Sequence, residues 1–106
     1  MTLPEPLTEY FSASNAHDAD RLAGFFAGDA RVRDEKRTIT GRDAIRDWAD
    51  AAGRKYQHQT DVLRAEQTGD DCVVTARVTG RFPGSPIELR YRFQIDDRKI
   101  TTLEIV

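Results

Sequence analysis

Ile87-Glu88-Leu89-Arg90-Tyr91-Arg92-Phe93-Gln94-Ile95 alternates apolar and polar side chains without a break. Side chains of an extended backbone point alternately to opposite faces. The stretch therefore predicts a strand with Ile87, Leu89, Tyr91, Phe93 and Ile95 on one face and Glu88, Arg90, Arg92 and Gln94 on the other. A strand buried on one side only belongs to an antiparallel sheet that is covered on a single face.

Working outward, the neighbouring segments repeat this pattern. Phe82-Pro83-Gly84-Ser85-Pro86 predicts a turn. Before it, Cys72 to Thr79 alternates in the same way, with Cys72, Val74, Ala76 and Val78 on one face. Thr68-Gly69-Asp70-Asp71 is a hairpin loop. It is preceded by a long polar strand, Tyr56 to Gln67, on which Tyr56, His58 and Thr60 share a face. On the other side, Asp96-Asp97-Arg98 turns the chain into a last strand, Lys99–Val106.

The first half follows helical spacing instead. Pro4 suits a first helical turn, and Leu7, Tyr10, Phe11 and Ser14 define a partly apolar face. Asp18 is a good N-cap for a second helix, about Ala19 to Phe26, with Leu22, Phe25 and Phe26 at i, i+3, i+4 and Gly28-Asp29 as its end. Two short extended pieces follow, Ala30–Asp34 and Arg37–Thr40, joined through Glu35-Lys36. After Gly41 comes a third helix with Ile45, Trp48, Ala49 and Ala52 on one face, which Gly53 is expected to stop. Helices followed by hairpin-connected strands make an α+β order. The expected architecture is a cone-shaped, curved antiparallel β-sheet packed on three N-terminal helices and enclosing a cavity, the candidate binding site. Residues 1–106 fit one domain.

Composition narrows the function classes. The formal net charge is -2 and the basic residues are scattered among acids, so the chain lacks the electrostatic footprint of a nucleic-acid binder. The single cysteine, Cys72, cannot form an intramolecular disulfide and suits a reducing compartment. Met1-Thr2-Leu3-Pro4-Glu5-Pro6 has no basic region followed by an apolar segment, as a signal peptide would. No apolar run approaches the ~20 residues of a membrane span. A soluble cytoplasmic protein with no membrane partner is the expectation. Neither histidine has a partner at metal-ligand spacing, so neither a metal nor a cofactor is expected.

The stretch His17-Asp18-Ala19-Asp20 through Phe25-Phe26-Ala27-Gly28-Asp29-Ala30-Arg31-Val32-Arg33-Asp34, followed by Gly41-Arg42-Asp43-Ala44-Ile45-Arg46-Asp47-Trp48, resembles the nuclear transport factor 2-like superfamily in its SnoaL-like branch. The likeness extends through Arg90-Tyr91-Arg92-Phe93 to Lys99-Ile100-Thr101-Thr102-Leu103-Glu104. The superfamily hosts isomerases, cyclases, dehydratases, epoxide hydrolases and non-enzymes, so the resemblance implies the fold more sharply than a reaction. Its ketosteroid isomerases use an aspartate general base, a tyrosine and a protonated aspartic acid. By that resemblance Asp34 matches the base and Tyr10 the tyrosine, while Tyr91 falls where the second acid would be. A tyrosine there still donates a hydrogen bond but fills more space, which implies a substrate smaller than a steroid. Members of the superfamily also commonly dimerise through the sheet face.

Each candidate residue also has a plainer reading. Asp34 is either a general base whose pKa rises from about 3.9 by desolvation, or a strand-end carboxylate paired with Arg33, Lys36 or Arg37. Glu35, next along an extended backbone, should point to the other face. Tyr10 is either an oxyanion donor or a core ring with its hydroxyl at the rim. Phe26 and Trp48 are expected as core and cavity wall, with His58 and Tyr91 as ligand contacts if their faces look into the cone. His17 reads as a turn residue. The functional expectation is a SnoaL-like acid–base isomerase, cyclase or dehydratase acting on a small hydrophobic or carbonyl-containing ligand, with Asp34 and Tyr10 as catalytic residues. The alternative is a non-catalytic ligand-binding or accessory domain of the same fold. A homodimer through the sheet face, built on Glu88, Arg90, Arg92, Arg77 and Glu104, is expected in either case.

Overall fold

The computed structural model describes residues 3–106, so Met1 and Thr2, which open the segment read above for a signal peptide, lie outside the described residues. The chain runs α1 (Leu7–Asn15), α2 (Ala19–Ala23), β1 (Phe26–Asp34), β2 (Arg37–Thr40), α3 (Arg42–Tyr56), β3 (Gln59–Thr68), β4 (Asp71–Thr79), β5 (Ile87–Asp96) and β6 (Lys99–Ile105). Helix α1 buries Leu7, Tyr10, Phe11 and Ala13. Asp18 caps α2, its carboxylate accepting from the Arg21 backbone N–H at 3.1 Å. That bond satisfies one of the donors a helix start leaves unpaired.

Three boundaries differ from the sequence reading. Helix α2 stops at Ala23, with Gly24 as its C-cap, and does not reach Phe26. Adjacent aromatic residues suit a pleated surface, and the sheet supplies their partners. The Ile100 N–H donates to the Phe25 carbonyl at 2.9 Å, and Phe26 pairs with Ile100. Gly28 and Asp29, expected to end the helix, therefore lie within β1.

The second shift is at Gly53, which does not stop α3. The helix continues to Tyr56, and Gln57 closes it in the left-handed conformation, at φ 47°. Glycine inside a helix costs only ~1 kcal/mol relative to alanine. A Cβ at this position would stand 3.8 Å from the His17 ring, an ordinary van der Waals contact. The third shift follows from the second, because β3 now begins at Gln59. Tyr56 is thus helical and His58 sits in the link, so neither shares a strand face with Thr60.

The six strands form one sheet in the order β2-β1-β6-β5-β4-β3. Neighbours are antiparallel except β1 and β6, which run parallel. The parallel pair is possible because a long crossover, α3 and the β3–β4–β5 meander, separates the two strands. The curved sheet and the three helices make the expected α+β architecture. On the inner face Val32, Val74, Ala76, Phe93, Ile100 and Leu103 are buried against the helices. The Tyr10 ring meets Phe11, Phe26 and Phe93 edge-on at centroid distances of 5.0, 6.0 and 5.3 Å. Such contacts add about 0.5–1.5 kcal/mol each beyond the area they bury. They also fix the ring whose hydroxyl reaches the site.

Candidate functional site

Inward-facing residues alternate along β1, and the last of them is Asp34, where the strand ends beside α3. Its carboxylate is half-buried. The Trp48 indole N–H, from the inner side of α3, donates to Asp34 Oδ2 at 3.1 Å. No ion pair reaches this carboxylate among the described residues, so the pairing with Arg33, Lys36 or Arg37 does not form. Burial pushes its pKa up. The Trp48 hydrogen bond opposes the rise, the nearby Glu35 charge adds to it, and Arg37 and the Glu35 backbone N–H oppose it.

Asp34 lies on the wall of a cavity of about 520 Å³, together with Tyr10, Trp48, His58 and Tyr91. Burial raises the Tyr10 phenol well above its ordinary value, and the closeness of Tyr91 and Asp34 raises it further. Tyr91 is pushed up to about 12 by burial, with a hydrogen bond from Thr60 opposing and the Asp34 charge adding. Both phenols therefore keep their protons at neutral pH and remain hydrogen-bond donors. All three groups line the same cavity.

Phe26 is the exception among the sequence candidates. It is fully buried beneath Tyr10 and does not line the cavity, because its strand position turns the ring into the core. The volume falls within the about 300–1,000 Å³ that ligand pockets commonly span.

Several lining residues escaped the sequence reading. Glu35 is one of them, although strand alternation sends it to the other face. Glu35 and Lys36 are the two central residues of the β1–β2 hairpin, with φ values of 51° and 65°. Positive φ at both positions is what a tight two-residue hairpin requires. The backbone there is not extended, and the alternation rule fails. A two-residue spacer between two short strand runs was the available signal. Tyr56, at the end of α3, donates its hydroxyl to Glu35 Oε1 at 3.1 Å.

At another part of the wall, His58 Nε2 lies 3.4 Å from Ser14 Oγ, and His17 Nε2 donates to the His58 carbonyl at 2.8 Å. His58 Nδ1 is buried without a hydrogen-bond partner among the described residues. Burial, and then the neighbouring His17, lower the His58 pKa, which favours a neutral ring. His17 is thus more than a turn residue: it lines the cavity and anchors the α3–β3 link.

Among the described residues no group of three or more His, Cys, Asp or Glu side chains could hold a metal ion. No described helix is long and apolar enough to cross a membrane.

Comparison with known proteins agrees with this architecture. No curated protein matches the chain in sequence. Among solved structures, a protein of Sinorhizobium meliloti described provisionally as a polyketide cyclase is 41% identical, with a TM-score of 0.94, over 98% of this chain and 95% of that one. A protein of Catenulispora acidiphila with a ketosteroid isomerase-like fold, crystallised in complex with trimethylamine, is 22% identical, with a TM-score of 0.87, over 99% of this chain and 86% of that one. A nuclear transport factor 2-like protein of Cytophaga hutchinsonii is 13% identical, with a TM-score of 0.78, over 100% of this chain and 93% of that one. The last two likenesses are of fold alone. The family model of the SnoaL-like domain matches residues 7–103, from the first helix to the last strand, and the chain belongs to that family.

Proposed function

We propose that this chain is a small-molecule enzyme of acid–base type, acting on a carbonyl compound held in the cavity, with Asp34 as general base. The observation that carries the reading is the Asp34 carboxylate. It is half-buried on the cavity wall, oriented by one indole N–H and raised in pKa by burial. A base works best when its pKa approaches the working pH, and this environment moves Asp34 in that direction.

In the step common to the possible reactions, Asp34 removes a proton from the carbon next to the carbonyl. The Tyr10 and Tyr91 hydroxyls donate to the developing enolate oxygen. Return of the proton to another carbon gives isomerisation. Attack of the enolate on a second carbonyl gives an aldol-type cyclisation, and loss of a β-hydroxyl gives dehydration. Trp48 aligns the carboxylate and lines the ligand space, as His58 does with a neutral ring. Phe26 acts on the site only by packing under Tyr10.

The shared step can be read without knowing the natural substrate. Exchange of the α-hydrogens of a cyclic ketone into D2O, followed by proton NMR, should be accelerated by the protein. Asp34→Asn should return the rate to that of buffer, a loss of about 10²–10⁴, without lowering Tm. Equal exchange by wild type and variant would favour the non-catalytic ligand-binding module instead.

The same proposal includes a homodimer through the outer sheet face and residence in the cytoplasm. The outer face supports the first, since it carries charges of both signs. A buried free thiol at Cys72 suits the second.

A further inference from the structure

The charged side chains around the cavity are mostly of one sign. The chain has 16 lysines and arginines against 18 acids, yet no lysine or arginine is found among the described residues that line the cavity. Asp18, Asp34 and Glu35 do line it. Asp18 is engaged in capping α2, and Asp34 lies half-buried, whereas Glu35 is exposed at the rim.

There Glu35 accepts the Tyr56 hydroxyl, and the Tyr56 ring meets the Phe82 ring at 90°, with centroids 6.0 Å apart. Aromatic rings packed edge to face beside a carboxylate are groups that can receive an organic ammonium ion. The nearest cations of the chain stand outside the lining. Arg37 faces Asp34 across the β1–β2 ladder, and Lys55 Nζ sits 5.1 Å from the Tyr56 ring centroid. The lysine demonstrates that the Tyr56 ring receives an ammonium group. An anionic ligand would meet carboxylates and neutral groups at the rim, losing hydration without gaining a counter-charge.

Resting on the acid–base reading for the deeper part of the cavity, we propose that the ligand is an apolar carbonyl compound carrying a cationic amine, its ammonium group held at the rim by Glu35, Tyr56 and Phe82. Its carbonyl then lies toward Tyr10 and Tyr91.

The test uses three probes that share one ring system: 1-naphthylmethylamine, 1-naphthalenemethanol and 1-naphthoate. None carries an acidic hydrogen next to a carbonyl, so binding is measured whether or not Asp34 is a base. The reporter is the indole N–H cross-peak of Trp48, the only tryptophan, in a titration followed by nitrogen–proton NMR. The amine should bind about tenfold more tightly than the alcohol, and naphthoate most weakly. Glu35→Gln should narrow the amine-to-alcohol ratio to within about threefold. Lys55→Met, which removes the competing ammonium group, should tighten the amine. Naphthoate binding as well as the amine, or a ratio unchanged in Glu35→Gln, overturns the proposal while leaving the acid–base reading intact. A cross-peak that no probe moves overturns the proposal and leaves the acid–base reading to be decided by the ketone exchange. An amine preference without any ketone exchange removes the base reading alone.

Discussion

Asp34 and His58 are both taken partly out of water, and the consequences for stability have opposite signs. The folded-state pKa of Asp34 lies above its ordinary value, so the fold favours the protonated form. Its contribution to stability is fully present below the ordinary aspartate value and is lost as pH rises through the folded value. Asp34→Asn keeps an oxygen for the Trp48 indole and removes the charge. Thermal melts should show the variant above wild type in Tm at pH 7, with the gap closing toward about pH 4. His58 is lowered by burial and by His17, so its contribution is present above the ordinary histidine value and lost as pH falls through the folded one. The Tm of His58→Gln should therefore fall less steeply than that of wild type below about pH 6.

At the scale of elements, the junction between α3, β3 and β4 is set by a close approach at Gly80. A Cβ there would stand 2.6 Å from the Tyr56 carbonyl oxygen and 3.1 Å from His58 Cα. Both obstacles are backbone, so nothing soft can move aside. Gly80→Ala should cost about 1–3 kcal/mol in urea unfolding, as overpacking does. It should also shift the Trp48 indole resonance, because Tyr56 and His58 line the cavity.

The strands and the covered face of the sheet were legible from alternation in β4 and β5, and Asp18 announced the start of α2. The end of α2 was not legible. Leu22, Phe25 and Phe26 satisfy helical spacing as well as a strand does, and the deciding partner, Ile100, lies about 70 residues away. Gly53 misled because a glycine inside a helix costs only ~1 kcal/mol, too little to end α3 there. Within the site, Asp34, Tyr10 and Tyr91 could be placed by resemblance and spacing. Glu35 and Tyr56 could not, because one depends on turn dihedrals and the other on where a helix ends.

For the whole molecule, the outer sheet face is a mesh of charges. Arg77 stands opposite Glu88, and Arg92 opposite Glu104. Arg33 Nε lies 4.0 Å from Glu104 Oε2, and Arg92 Nη1 lies 3.9 Å from Asp71 Oδ2. Exposed pairs of this kind contribute at most about 1 kcal/mol each to folding, which leaves them available for an interface. In the proposed homodimer, Arg90→Glu with Arg92→Glu should yield a monomer in sedimentation velocity, and added salt should weaken the wild-type dimer. An unchanged oligomeric state in the double variant would place any interface elsewhere.

The parallel pairing of β1 with β6 also bears on the order of assembly. Strand β1 has one local neighbour, β2, and one that the chain reaches only after the whole β3–β4–β5 meander. Bringing β1 to β6 closes a long loop, whose entropy must be overcome before the contacts of that pair reward it. During synthesis the hairpin that bears Asp34 emerges early and waits at the margin of an unfinished sheet. The strand that ends in Asp34 thus gains its second neighbour only once β6, the last strand of the sheet, has been made.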